Sequence, residues 1–227
     1  MRCWADLSHD AYQSDFCVLI IFRSIIFNLA FWVWTGVVIV GLLPLLLGPQ
    51  SGAIAAQRIW AKGTLGLVRV LSGVRYEIRG QEHLPRGPYI VACKHQSTFE
   101  TLVFNVVLKD PAIVLKKELL NIPFYGWYSR RMGMIPIDRR GRAGAVRRML
   151  RIADRAKQQQ RPIVIFPEGT RSATGQQGTY HTGVAGLYRH LDLPVVPVAL
   201  NSGLYWPRRK LAKYAGTIIV EYLPPIP

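Results

Sequence analysis

The stretch PYIVACKHQSTFE, residues 88–100, decides the fold, because an apolar run leads there into a polar turn and a helix start. The run PYIVAC is typical of a buried strand. Ser97 and Glu100 then follow with the S-x-x-E spacing of a capping box, ahead of an apolar-periodic segment. A strand that passes directly into a helix is the repeating unit of α/β proteins.

The same turn holds a histidine and, five residues later, a carboxylate. A helix advances about 100° per residue, so His95 and Glu100 would lie on different faces of one helix, and contact between them needs a turn. In one interpretation Ser97 and Glu100 only cap the helix, as is common. In the other, His95 is a general base and Glu100 orients its imidazole. At this point both interpretations stay open.

From about residue 75 onward, apolar strand runs alternate with helical segments. The pattern predicts strands at 76–78, 89–92, 113–115, 135–137, 163–166, 195–200 and 217–221, and helices at 98–108, 124–131, 142–159 and 181–191. This alternation predicts an α/β fold with a partly parallel mixed sheet flanked by helices.

The N-terminal part is dominated by an apolar run at 25–47, and no charged residue lies between Ser24 and Gln57. At about 1.5 Å per residue, a helix of this length crosses a hydrocarbon core of about 30 Å. The run is too long for a signal peptide and no small-residue cleavage site follows directly, so we expect it to remain attached. Pro44 and the GPQSG turn leave open a span or a hairpin with a second, amphipathic helix in one leaflet. We predict a membrane-anchoring helical region at 1–74 and a second domain at 75–227.

The chain of 227 residues has 29 Lys+Arg against 13 Asp+Glu, a net charge of +16. Residues 1–23 contain two arginines and three aspartates, so the excess lies downstream. Basic residues after the apolar run predict that the body is on the cytoplasmic side of the membrane. They are Arg58, Lys62, Arg69, Arg75 and Arg79.

A second basic group lines one side of the helix predicted at 142–159. This row indicates either a surface for anionic lipid or an acidic partner, or a plain solvated face. No nucleic-acid motif accompanies the charge, so we expect no nucleic-acid partner. The row consists of Arg147, Arg148, Arg151 and Arg155.

Cysteine and histidine spacing gives no metal site. Cys3, Cys17 and Cys93 have no C-x-x-C spacing, and the five histidines are scattered. We therefore predict reduced thiols, a buried Cys93 and no bound metal.

Two further motifs come at strand ends. GMIPIDR, residues 133–139, ends a short strand with an acid and an arginine. FPEGTRS, residues 166–172, places a carboxylate, a glycine and an arginine in one turn. Glycine permits close backbone approach to a ligand, and arginine suits bidentate phosphate binding. Each motif alone is equally consistent with a tight surface turn.

Together and in this order, H-x4-D/E, G-x-x-x-I-D-R, F-P-E-G-T-R-S and V-P-V-A-L (196–200) resemble the four motifs of the glycerolipid acyltransferases. The likeness is strongest to bacterial 1-acylglycerol-3-phosphate acyltransferases and covers about residues 90–200. It implies an acyltransferase domain at 75–227 that forms phosphatidic acid at the bacterial inner membrane. It further implies acyl-CoA or acyl-carrier protein as donor, lysophosphatidic acid as acceptor, and no metal or cofactor.

The resemblance also assigns roles to individual residues. His95 becomes the base that deprotonates the acceptor hydroxyl, and Glu100 its orienting partner. The family's acid is usually Asp, so Glu100 is a departure whose extra methylene requires a small shift of the helix start. The oxyanion donors are expected among backbone N–H groups near that helix start. The candidate substrate-binding residues are Lys116, Gly133, Arg139, Glu168, Gly169, Thr170 and Arg171.

Two other functions remain open on the sequence. One is acylation of another lysolipid or of glycerol phosphate, and the other is a non-catalytic membrane lipid-binding protein. A serine hydrolase is disfavoured, because no G-x-S-x-G motif is present. Because the chain stops soon after Tyr222, we expect a short C-terminal element of the family to be absent.

Overall fold

The computed structural model describes residues 5–138, 143–176 and 178–227, with side chains from residue 17 onward except that of Ala143. Its helices are α1 (Ala5–Gly41), α2 (Gln50–Ser72), α3 (Phe99–Val107), α4 (Tyr125–Arg131), α5 (Ala143–Gln158), α6 (Gly183–Leu191) and α7 (Ser202–Tyr205). Its strands are β1 (Val74–Arg79), β2 (Ile90–Cys93), β3 (Ala112–Lys116), β4 (Ile135–Ile137), β5 (Ile163–Ile165), β6 (Val195–Leu200) and β7 (Gly216–Tyr222).

The strands form one sheet in the order β1-β7-β6-β2-β5-β3-β4. All neighbouring strands pair in parallel except β6 and β7. The five strands from β6 to β4 therefore run in one direction, and β1 and β7 run in the other. This confirms the predicted partly parallel mixed sheet flanked by helices.

The sheet is covered on both faces, as expected for short strands with nearly continuous apolar sequence. Alternate residues of one strand enter different cores: Ile90 packs with α5 and α6, whereas Val91 packs with α2 and α3. Helices α1 to α4 therefore lie on one face and α5 and α6 on the other. The row of exposed arginines on α5 is on the face of the sheet opposite α1.

The N-terminal region forms a helical hairpin. Helix α1 ends at Gly41, a 3-10 turn covers Leu43–Leu46, and α2 returns along α1. A Cβ at Gly63 would lie 2.2 Å from the Trp34 ring, so glycine is required at this crossing of the two helices. The structure thus forms the hairpin rather than an isolated helix, and α2 shares its core with the sheet.

Residues Cys17–Gly41 are long and apolar enough to cross a membrane, and this segment is the one candidate among the residues that the structure describes. Most of its side chains face outward, including Leu29, Trp32 and Val33, each more than 60% exposed. Its length of 25 residues corresponds to about 37 Å of helix. The division of the chain at residue 74 stays a prediction.

The predicted elements are confirmed with small differences at their ends. Strand β1 begins two residues before the predicted start, and Phe166 lies outside β5. Helix α6 starts at Gly183 rather than at residue 181, and Arg142 lies outside the described residues. Sequence patterns did not predict the short helix α7, whose four residues are too few for a periodic signal.

Candidate active site

The sequence motifs meet at one edge of the sheet. In an open α/β sheet, ligands bind at the carboxyl ends of parallel strands. Five parallel strands end at this edge, and a candidate site residue lies at or shortly after the end of each strand. These are His95 after β2, Lys116 at the end of β3, Asp138 after β4, Gly169 after β5 and Ser202 after β6.

A cavity of about 330 Å³ opens at this edge and extends between the sheet and helices α2 and α4. Its volume falls within the range typical of small-molecule sites, about 300–1,000 Å³. His95, Lys116 and Gly169 supply polar groups to its wall. The apolar part of the wall includes Trp60, Ile113, Leu115, Leu119, Met132 and Met134.

The imidazole of His95 is fixed by a stacked aromatic ring. Phe166 lies with its ring centroid 4.2 Å from that of His95, at an interplanar angle of 22°. The Nδ1 atom is buried and has no hydrogen-bond partner among the described residues. Its nearest carboxylate oxygen is Oε2 of Glu100, at 3.7 Å. The imidazole of His95 is thus oriented with Nδ1 toward Glu100. This orientation leaves Nε2 as the nitrogen available to a substrate.

The Glu100 carboxylate is fully buried and is held by several donors. Its Oε1 accepts hydrogen bonds from the backbone N–H groups of Gln96 and Ser97, each at 3.0 Å. Ser97 N–H also reaches Oε2, and the Ser202 hydroxyl donates to Oε1. These donors replace the water that burial removes, as a buried carboxylate requires.

The capping and dyad interpretations describe one arrangement. Helix α3 begins at Phe99, one residue later than predicted, although Thr98 before it already has helical backbone angles. Ser97 Oγ accepts from the N–H of Phe99 at 3.2 Å. Glu100 reaches back to the turn as in a capping box, and the same carboxylate faces His95.

Glu168 connects the turn after β5 to the backbone of His95. It is buried, and its Oε2 accepts from the backbone N–H of His95 at 3.2 Å. The Ser172 hydroxyl donates to the same carboxylate, and Ser172 N–H donates to the His95 carbonyl at 2.8 Å. The motifs at 95–100 and 166–172 are therefore joined through the backbone on both sides of His95.

Arg171 lies beside the start of α3. Its Nη1 donates to Thr98 Oγ1 at 2.9 Å, and Arg208 donates to its carbonyl oxygen. Burial lowers the pKa of the Arg171 guanidinium from its ordinary value, and the Glu100 carboxylate opposes this effect. Among the described side chains, no carboxylate pairs with Arg171 within 4.0 Å.

The other predicted site residues are divided between the cavity and its surroundings. Lys116 and Gly169 line the cavity, and Thr170 is exposed next to Gly169. Gly133 lies apart, in a left-handed turn at φ 66° where a Cβ would lie 3.0 Å from Arg161 Nη1. Arg139 lies outside the described residues, so its predicted role remains a prediction.

Three residues of the site were missed by sequence reasoning. Ser202 was missed because it comes a hundred positions after Glu100, with no motif to link them. Gln96 Oε1 accepts from the Gly203 N–H at 3.2 Å and so brings α7 to the site. Phe166 stands inside the quoted motif FPEGTRS, directly after the apolar strand, and that position was the available signal.

Three backbone N–H groups near the start of α3, where the oxyanion donors are predicted, already have hydrogen-bond partners, and the predicted donors stay a prediction. The N–H groups of Gln96 and Ser97 bond to Glu100, and that of Phe99 bonds to Ser97. The helix start is thus used to hold the carboxylate.

Cys93 is fully buried, and burial together with Glu100 and Glu168 raises the pKa of its thiol well above the ordinary value. In the described part of the chain, no three His, Cys, Asp or Glu side chains group to hold a metal.

Fold and site define the class of protein. An acyltransferase family model matches residues 75–201, more than half of the chain, and the chain belongs to the acyltransferase family. The 1-acyl-sn-glycerol-3-phosphate acyltransferase of Pseudomonas aeruginosa is 40% identical over 161 residues, 71% of this chain and 63% of the relative. The enzyme of the same name from Saccharomyces cerevisiae is 30% identical over 199 residues, 83% of this chain and 63% of the relative. The matches thus span less than two thirds of the length of these curated relatives.

A solved structure has the same fold. The crystal structure of the 1-acyl-sn-glycerophosphate (LPA) acyltransferase from Thermotoga maritima superposes with a TM-score of 0.72 at 21% identity. The match covers 90% of this chain and 86% of that one. At this identity the likeness establishes the fold.

Proposed function

We propose that this acyltransferase moves an acyl chain from acyl-CoA or acyl-carrier protein to the sn-2 hydroxyl of 1-acyl-glycerol-3-phosphate and so forms phosphatidic acid for phospholipid biosynthesis. The observation that carries the proposal is the position of His95. Its imidazole stands in the wall of an apolar cavity, with Nδ1 turned to a buried carboxylate. The relatives named above bear the name of this activity.

The proposed reaction is a direct transfer with His95 as general base. Nε2 takes the proton of the acceptor hydroxyl while the hydroxyl oxygen attacks the thioester carbonyl carbon. The resulting tetrahedral oxyanion collapses, the carbon–sulfur bond breaks, and the imidazolium returns its proton to the leaving thiolate. Glu100 stabilises the imidazolium and keeps Nδ1 directed away from the substrate. The thiol of Cys93 takes no part, because its sulfur is buried and donates to the Lys94 carbonyl at 3.2 Å.

The apolar part of the cavity suits an acyl chain. Its wall carries side chains without charge, such as Leu119 and Met134, and it begins next to His95. Burial of a chain there is favourable by about 0.8 kcal/mol per CH₂ group. This placement sets the thioester carbonyl or the acceptor hydroxyl beside the base.

The acceptor phosphate is proposed to lie near Arg171. Its guanidinium is half-buried without a paired carboxylate among the described side chains, and Arg208 lies next to it. An arginine fork binds phosphate in a bidentate manner. Lys116, whose ammonium lies 3.7 Å from Oε1 of Glu118, adds a basic group to the cavity wall. Glu168, whose carboxylate faces the backbone of His95, supports the turn and does not need to contact the substrate.

The anionic donor is proposed to approach along α5. Val146 at its start lines the cavity, and the exposed arginine row described above continues from there. Both CoA and carrier protein are polyanionic, so a basic path to the cavity favours their encounter. Helix α5 lies on the face of the sheet opposite α1. The arginine row of α5 is therefore better placed to bind the anionic donor than to contact the membrane at α1.

Membrane attachment is proposed through α1, with the catalytic domain on the cytoplasmic side of the bacterial inner membrane. Lys62, Arg69 and Arg75 are exposed and available to an anionic membrane surface. Arg58 is not, because its guanidinium donates to the carbonyls of Asn105 and Leu108 at 3.4 and 3.0 Å.

The test is an acyl-transfer assay with purified protein, lysophosphatidic acid and labelled acyl-CoA or acyl-carrier protein. Formation of phosphatidic acid by the parent, and its loss in His95→Ala, is the expected result. Transfer to monoacylglycerol or glycerol phosphate in preference to lysophosphatidic acid would replace the proposed acceptor. Binding of lysophosphatidic acid with no transfer from either donor would favour a non-catalytic lipid-binding protein.

A further inference from the structure

A second cavity lies away from the active site, between α1, the end of α2 and the segment before β7. Its volume is about 270 Å³, and its lining includes two cationic side chains and a hydroxyl that suit an anionic ligand: Arg23, Lys213 and Ser72. Leu19 and Ile20 of α1 complete its apolar side.

Arg23 is the one charged residue between Phe16 and Gln57, in the middle of an apolar sequence. A lone charge in a membrane-apolar segment is costly and marks a function or a partner. Its Nε donates to the Leu71 carbonyl at 2.8 Å, which leaves the two terminal nitrogens of the fork for another acceptor.

Ser72 and Lys213 supply the other two groups. Ser72 is 3% exposed, and its hydroxyl has no hydrogen-bond partner among the described residues. Lys213 is 5% exposed, and its ammonium is held only by the carbonyls of Lys210 and Leu211 and by the rings of Phe27 and Trp206. Among the described side chains, neither Lys213 nor Arg23 pairs with a carboxylate within 4.0 Å.

We propose that this cavity binds the phosphate group of an anionic phospholipid, with Arg23, Ser72 and Lys213 as its ligands. The headgroup completes the hydrogen bonding of the Ser72 hydroxyl and neutralises two cations that line the same cavity without a paired carboxylate among the described side chains. The acyl chains run along exposed apolar side chains of α1: Leu19, which lines the cavity, and Val18 and Phe22, which are near it in the sequence. The bound lipid fixes α1 to the domain.

The experiment uses the full chain in neutral maltoside micelles and measures the temperature of thermal unfolding. Phosphatidylglycerol, phosphatidylcholine or inorganic phosphate is added at equal concentration to the parent, Arg23→Gln, Ser72→Ala and Arg189→Gln. Arg189 is exposed on α6, on the other face of the sheet, so its variant is a control for the loss of one charge. The readout does not depend on acyl transfer.

We expect phosphatidylglycerol to raise the unfolding temperature of the parent by roughly 5–10 °C at a hundredfold excess over its Kd. Arg189→Gln should keep this shift, and Arg23→Gln should lose most of it. Ser72→Ala should unfold at the parent's temperature without lipid, because its hydroxyl has no partner to lose, yet show a smaller shift with lipid. An equal shift in all four proteins would overturn the site. A shift as large with inorganic phosphate or with phosphatidylcholine would overturn the anionic lipid as its ligand.

Discussion

Oε2 of Glu100 lies 3.7 Å from Nδ1 of His95, while Oε1 of the same carboxylate accepts two backbone N–H groups of the turn that carries the histidine. The carboxylate therefore holds the turn and faces the imidazole at the same time. The gap to Nδ1 exceeds a hydrogen bond, and catalytic contacts of this kind commonly shorten when substrate binds.

Removal of the imidazole tests the base. His95→Ala should lower kcat by about 10²–10⁴-fold, the usual contribution of general-base catalysis. The unfolding temperature should fall by only a few degrees, because the variant loses the stacking on Phe166, whereas Nδ1 has no hydrogen-bond partner to lose among the described residues. Turnover close to that of the parent would contradict the mechanism.

Glu100→Gln separates the two roles of the carboxylate. A glutamine oxygen still accepts the N–H groups of Gln96 and Ser97, so the turn should form. The neutral amide cannot stabilise an imidazolium, so kcat should fall by about 10²-fold or more. The measurement is kcat together with the unfolding temperature. A mild kinetic effect would mean that Glu100 is only a cap.

Arg171 is tested with two acceptors. Arg171→Ala should raise KM for lysophosphatidic acid at least tenfold, and Arg171→Lys should recover part of the loss, because lysine supplies charge without the bidentate fork. The effect on the donor KM should be smaller. Monoacylglycerol, which has no phosphate, should lose little further activity in the variant. An equal fractional loss with both acceptors would show that Arg171 supports the fold or the donor site.

The exposed face of α1 is tested by substitution rather than deletion, since Phe27 of α1 is buried in the core. Leu29→Gln, Trp32→Gln and Val33→Gln combined should reduce flotation with vesicles by at least tenfold, because three exposed apolar side chains leave the bilayer. The control combines Tyr180→Gln, Tyr188→Gln and Ile226→Gln, which are exposed outside α1. Equal flotation of both triple variants would contradict attachment through this face.

Lys213 gives a pH dependence with a defined sign. Burial lowers the pKa of its ammonium to about 8, whereas the pKa of a lysine in the unfolded chain is about 10.4. Between these values the unfolded chain binds more protons, so the contribution of Lys213 to stability rises with pH, and its penalty is fully present below pH 8. The difference in free energy of unfolding between Lys213→Met and the parent should therefore fall as pH rises from about 8 to about 10.4. Tyrosines and Cys93, present in both proteins, cancel. A difference that does not change with pH, without anionic lipid, would contradict this assignment.

The sequence by itself determined the order of strands and helices, the apolar segment of α1 and the residues of the catalytic turn. These features are local: side-chain alternation, helical periodicity and the S-x-x-E cap depend on neighbours within a few positions. Even the two interpretations of Glu100 were visible in seven residues, although one carboxylate performing both tasks was not.

Only the tertiary structure decided which strands are adjacent. Strand adjacency in turn brings the Ser202 hydroxyl to Glu100 and the Glu168 carboxylate to the backbone of His95. Pairing of β2 with both β5 and β6 joins Ile90 to Ile163 and to Val195, and no local pattern encodes contacts at such separations. It also placed the α5 arginines opposite α1 and brought Arg23, Ser72 and Lys213 to one cavity. Burial creates these relationships, because a carboxylate or a lysine acquires its partners only when packing removes the water around it.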